Sequence, residues 1–287
     1  MSKRKGVGDT VNNATKVDEG SDDEDFDMLD VEFEWFDPLP DIDYHGIKTL
    51  LQQLFDLDAH MLDLGALTDL ILGQPLLGST VKVEGKETDA YAFLSIVNLQ
   101  AHKDKPFIQT LIRYLQSKAN SNSALGKLSE LFSQPSIPAI GLILAERLIN
   151  VPAEVVPPMY TMLLEEIQWA VQEKEPYNFS HYLILSKTYT EVASALDEED
   201  DRPKKKKKAS TKTPETLYFH VEDEVLQRHA ICYGGYNYST KQDDGHSDSK
   251  RAFQELGIRP QSNAILIEAP KFESAVNDVA EYLKPPS

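Results

Sequence analysis

Glu146 and Arg147 close a run that is otherwise apolar, Ile140 to Leu144 broken only by Gly141, and they are the ionisable neighbours best placed to do chemistry. A carboxylate in such a place could act as a general base with a shifted pKa. Charges on a buried strand are ordinarily retained because they are paired, and we read Glu146 and Arg147 as a structural ion pair. The turn that follows, Asn150 to Val155, joins that run to a helix opened by Pro157 and Pro158. Strand-to-helix turns of this kind hold phosphate when glycine lets the backbone approach and bare amides face the anion. Here there is no glycine, Pro152 removes a donor, and Glu154 stands where the anion would lie. Gly73 to Thr80, GQPLLGST, mimics a phosphate loop but has Ser79 in place of the lysine, and it lies between helix and strand. It reads as a helix C-terminal turn. There is no CxxC, HExxH or GxSxG, and His181, beside an apolar strand, reads as structural. No catalytic, cofactor-binding or metal-ligating residue is assigned.

The elements that would position these residues follow from periodicity. Val31, Phe33 and Trp35 alternate with Glu32 and Glu34 as in a strand that Pro38 and Pro40 end. Tyr44 to Phe55 and Leu64 to Leu72 carry apolar residues at helical spacing. Thr80 to Glu84 and Ala90 to Leu99 form a hairpin through Gly85, and Pro106 to Ser117 and Ala124 to Phe132 form a helical pair. The run from Ile140 is a strand buried on both faces. Met159, Leu163, Ile167 and Val171 make one face of the helix after it. Phe179 to Tyr189, Leu217 to Val221, Ala230 to Tyr233 and Ala264 to Glu268 read as strands, Gly234 to Tyr238 as a turn, and Glu273 to Leu283 as a closing helix.

Bulk charge narrows the function. The net charge is −18, from 47 acidic and 29 basic residues, which repels nucleic acid and anionic membrane and favours basic protein partners. One cysteine, Cys232, rules out an internal disulfide and suits a reducing compartment. No apolar run reaches the length of a membrane span, and the first residues lack a secretory signal. Residues 1–27 read as a disordered acidic tail; the carboxylates of Asp18 to Asp37 are uninterrupted by any base. Asp22, Asp23, Glu24, Asp25, Asp27, Asp30, Glu32 and Glu34 are the candidate contacts for a basic client. Asp197 to Asp201 abut Lys204, Lys205, Lys206, Lys207 and Lys208, an exposed loop at 197–214 whose lysines form a candidate nuclear import signal, with Lys3, Arg4 and Lys5 as a smaller basic cluster.

Leaving out the pair at 106–133 as a helical insertion, the order of elements resembles the acetyltransferase fold of the GNAT type: a mixed sheet flanked by helices, here without the coenzyme loop. One such domain spans 28–287. VEFEWFDP at 31–38, DYHGIKTLLQQLF at 43–55, GSTVKVEG at 78–85 and, above all, GLILAERLINVPAEVVPPMYTMLLEEI at 141–167 closely resemble the BCCIP/Bcp family. The resemblance implies an acetyltransferase-like fold without catalytic or coenzyme features, and a shuttling nuclear protein. It further implies a chaperone for a large-subunit ribosomal protein, universal number fourteen (fungal L twenty-three), supporting its import and 60S assembly. A part in nuclear export of a phosphoinositide kinase, contact with nuclear transport receptors, and roles in cell-cycle control or DNA repair are implied likewise. Three classes result: an escort protein, a regulatory adaptor, and a divergent acetyltransferase.

Overall fold

The computed structural model describes residues 31–74, 77–191, 216–240 and 258–284. The acidic tail at 1–27 and the charged loop at 197–214 lie outside these. From Glu32 onward the described residues form one compact unit.

Its elements are β1 (Phe33–Phe36), α1 (Pro40–Phe55), α2 (Leu64–Leu72), β2 (Ser79–Val83), β3 (Ala92–Asn98), α3 (Pro106–Ser121), α4 (Gly126–Phe132), β4 (Ile140–Arg147), α5 (Val156–Gln172), β5 (His181–Glu191), β6 (Thr216–Tyr218), α6 (Asp223–Leu226), β7 (Cys232–Tyr236), β8 (Ile258–Glu268) and α7 (Ala269–Tyr282). The strands make one mixed sheet in the order β1-β2-β3-β4-β5-β8-β7, with β6 pairing β5 beside that path. β4 and β5 run parallel, and every other pairing is antiparallel.

The unbroken apolar run of β4 follows from its central place in the sheet. Leu142 and Leu144 turn to one face with Leu183 and Leu185, packing against Ile47, Leu50, Leu51 and Leu54 of α1. Ile143 turns to the other with Ile184, Ile265 and Ile267, packing against Met159, Leu163 and Ile167 of α5 and Phe272 and Val276 of α7. A strand with both faces covered has no polar side to alternate with. The helices of the 106–133 segment belong to the first of these cores, where Ile108, Leu111, Leu115 and Leu128 are buried beside α1.

Gly141 sits mid-strand for lack of room. A Cβ there would come within 2.6 Å of Ile96 Cδ1 and 3.1 Å of the Phe179 ring.

Two expectations are corrected. Gly234 and Gly235 do not form a turn; they lie inside β7, paired with Ala264 and Asn263. The missing side chain of Gly234 lets Asn122 close on the sheet, where its Nδ2 donates to Gly235 O at 2.8 Å. The closing helix begins at Ala269, earlier than the Glu273 start read from the sequence, because Pro270 fits its first turn.

Candidate functional site

Strands β4 and β5 are hydrogen-bonded neighbours from Ile140–His181 to Leu144–Leu185 and no further. β4 continues to Arg147 against β3, whereas β5 continues with β8 on one side and takes β6 at Thr188–Tyr218 on the other. The two strands therefore diverge, and a wedge opens at the end of β4 beside the start of α5. In an acetyltransferase-type sheet this is the region that would admit an acyl-coenzyme.

Here the wedge is filled by side chains. Glu146, buried, lies with its Oε2 2.6 Å from Lys187 Nζ of β5 and its Oε1 3.0 Å from His220 Nε2, on the segment leading into α6. Arg147 reaches Glu222 with two nitrogens, at 2.5 and 3.1 Å, in a fork-to-fork contact. Asp223 accepts from the Ser186 hydroxyl. From the α1 side, Gln53 donates to Arg147 O at 2.9 Å and accepts from Lys187 Nζ at 3.2 Å. The free space left among these groups is about 20 Å³. That is room for a single water, whereas pockets for small ligands run to hundreds of Å³.

Glu146 and Arg147, read from the sequence as an ion pair, do not pair with each other. Adjacent strand residues point to opposite faces, so each finds its own counter-ion: Lys187 and His220 for Glu146, and Glu222 for Arg147. Sequence reading missed Lys187, His220, Glu222 and Asp223. Burial alone would raise the Glu146 carboxyl, but the hydrogen bond and charge of His220, with Lys187, outweigh it and hold it near 2. His220 goes the other way: burial opposes its cation, yet Glu146, Glu222 and Asp223 together raise it. Asp223, fully enclosed, is pushed up by burial to about 7.

The turn after β4 offers an anion no cradle. Val151 N donates to Leu148 O and Val155 N to Pro152 O, Pro152 has none to give, and Glu154 is exposed there. The indole of Trp35 donates to Val155 O at 3.1 Å and closes the turn from the β1 side. Ile149, at its tip, is fully exposed. The residues present do not fit a coenzyme pyrophosphate.

A second buried charge cluster ties the helical side together. Asp58 accepts from Ser239 N, Thr240 N and Tyr114 OH and pairs with Lys118 at 2.8 Å. Burial raises its carboxyl, and Lys118 with the two amides more than reverses that. Lys82 and Asp43, both fully enclosed, pair at 2.7 Å and join β2 to α1. His181 meets the Ser180 hydroxyl at 2.9 Å, and burial lowers its pKa first of all. The single cysteine, Cys232, is buried and unpaired. Among the described residues no group of three or more His, Cys, Asp or Glu could hold a metal ion, and no helix is long and apolar enough to cross a membrane.

Of the candidate client contacts, Glu32 and Glu34 are exposed at β1, Glu34 standing opposite Lys82 in the register. Asp22, Asp23, Glu24, Asp25, Asp27 and Asp30 lie outside the described residues, as do Lys204 to Lys208.

The sheet order, the single parallel pair and the wedge define a mixed α/β protein whose central sheet is flanked by helices and whose wedge is closed by ion pairs. A family model described as BCCIP matches residues 28–226, and the chain belongs to that family. It is similar to the protein bcp1 of Aspergillus fumigatus, 61% identical over 290 residues and the whole of both chains, and to that of Schizosaccharomyces pombe, 49% identical over 90% of this chain and 91% of the other. Among solved structures it is similar to BCP1 from Saccharomyces cerevisiae, with a TM-score of 0.60 and 25% identity, covering 89% of this chain and 92% of that one.

Proposed function

We propose that this protein is a non-catalytic nuclear escort for a basic large-subunit ribosomal protein, universal number fourteen (fungal L twenty-three), and supports its import and 60S assembly. The observation that carries the reading is where the charge goes. Lys82, Lys118, Arg147 and Lys187 are taken up inside the fold, each against one carboxylate, so these four cations offset none of the excess of −18 carried by the rest of the chain. A free ribosomal protein exposes lysines and arginines meant for RNA phosphates, which bind polyanions indiscriminately. An acidic carrier screens them, attracts them at long range, and yields when the denser charge of ribosomal RNA arrives.

The closed wedge supports the non-catalytic part, since a coenzyme would have to displace Glu146, Lys187 and the Arg147–Glu222 pair. Asp22 to Glu34 would add electrostatic reach and Lys204 to Lys208 a contact for nuclear transport receptors; a phosphoinositide kinase is a further export cargo on this reading. The experiment is to purify the tagged chain from its own cells and identify the stoichiometric partner. A basic large-subunit ribosomal protein is the expected result. A signalling kinase or cell-cycle enzyme in that place would overturn the reading in favour of an adaptor.

A further inference from the structure

One border of the sheet combines an open strand, an acidic hollow and uncovered apolar groups. β1 is the first strand of the order and, among the described residues, pairs only with β2. Its outer row of backbone donors and acceptors is therefore available to another strand. Val83 faces Phe33 in the register, so the β2–β3 turn lies beside the start of β1. That turn holds Glu84, Glu87 and Asp89, which with Tyr91 line an open hollow of about 400 Å³. Between Val31 and Pro40, and between Val83 and Tyr91, the only cation is Lys86, itself exposed and 3.9 Å from Glu87.

Glu84 is held there against its backbone preference. Its φ is +64°, followed by Gly85 at +95°. In this eight-residue connection, 84–91, a left-handed backbone suits glycine, asparagine or aspartate, and a glutamate in it is strained. The strain leaves a carboxylate at the mouth of the hollow. Trp35 adds a flat surface: its one donor is engaged by Val155 O, and its ring remains partly exposed, with Ile149 uncovered on the neighbouring turn. Leu148, next to Ile149, bonds through its amide to Tyr91 O, which links that tip to the hollow.

We infer that the β1 edge and the Glu84–Glu87–Asp89 hollow form a docking site for an extended, lysine- and arginine-bearing segment of a partner protein. The segment adds as a strand to β1, its cations enter the hollow, and a guanidinium or ammonium lies on the Trp35 ring. Charge complementarity selects this occupant. A second copy of the chain would bring Glu32, Glu34 and the same three carboxylates against themselves, which excludes edge-to-edge self-pairing. The inference deepens the escort reading, since it gives the basic client a place on the folded domain.

The test uses the full-length protein and two probes: the ribosomal protein named above, and an alternating lysine–valine peptide of about ten residues, plain or N-methylated on every second amide. The plain peptide is expected to bind in a salt-dependent way. N-methylation, which removes backbone donors and leaves charge intact, is expected to weaken binding ~10-fold or more. The exposed triple variant Glu84→Gln, Glu87→Gln, Asp89→Asn is expected to weaken both probes ~10-fold at low salt. Equal binding of the methylated peptide, or an unchanged triple variant, overturns the docking site even where the ribosomal protein still binds the wild-type chain. Failure of the ribosomal protein alone overturns the escort reading while the peptide still reports on the edge.

Discussion

Lys187 Nζ lies 2.6 Å from Glu146 Oε2, across the gap that opens where β4 and β5 cease to pair. The contact replaces the backbone ladder that parallel strands would otherwise continue, so an ion pair holds the sheet together where hydrogen bonds stop. Its stabilising role lies in mutual need: a buried pair is roughly neutral as a pair, and removing one partner strands the other.

Lys187→Met should therefore destabilise the fold by about 3 kcal/mol, because Glu146 keeps only His220 as counter-ion. Urea unfolding of Lys187→Met, of Glu146→Leu and of the double variant measures it. The double variant should lose clearly less than the sum of the singles. Strict additivity would mean that the two residues do not support each other.

The wedge also sets a pH dependence. Asp223 is raised to about 7 and His220 above its ordinary 6.5. A raised group contributes fully below its unfolded pKa and loses that contribution as pH rises through the folded one. Glu146, held near 2, contributes above its ordinary 4.5 and loses it as pH falls. Arg147, Ser186, Glu222 and Tyr160 face the same space, Arg147 held up against burial by Glu222 and Tyr160 pushed well up by burial. Asp223 should make stability fall as pH rises from about 4, its ordinary value, to about 7, and add no slope above that. Denaturant midpoints across that range test it, and Asp223→Asn should flatten the decline between about pH 5 and 7. An equally steep decline in Asp223→Asn would assign it elsewhere.

Gly141→Ala should cost about 1–3 kcal/mol by overpacking. The added methyl meets the Ile96 side-chain tip, which can move, and the Phe179 ring at 3.1 Å, which has Tyr177 and Tyr182 against it. Thermal unfolding reads the loss, and Ile96→Val in the same chain should recover part of it.

Acetyl-coenzyme A should leave the protein unchanged. At millimolar ligand the melting temperature is expected to move by less than about 1 °C, since only a bound ligand stabilises the native state. A saturable upward shift would show that the wedge opens.

Much of this layout was legible in the sequence. Runs such as Leu64–Leu72 and Pro106–Ser117 announce helices because their apolar faces repeat at helical spacing, and the β4 run announces a central strand because it has no polar side. Pro152, Glu154 and the lack of any glycine from Asn150 to Val155 likewise mark the turn after β4 as no cradle for an anion. The ion-pair partners were not legible. Lys187 and Glu222 lie 41 and 75 residues from Glu146 and Arg147, and nothing local in IGLILAER says which distant charge meets which. Gly234 and Gly235 were misread as a turn because glycine in sequence signals freedom, whereas here it permits close approach of Asn122.

The most direct measurement is the affinity of the intact chain for the basic large-subunit ribosomal protein as a function of salt. Electrostatic escort requires that affinity to fall roughly tenfold or more between about 50 and 200 mM salt. An affinity indifferent to ionic strength, or no binding at the lowest salt, would contradict it.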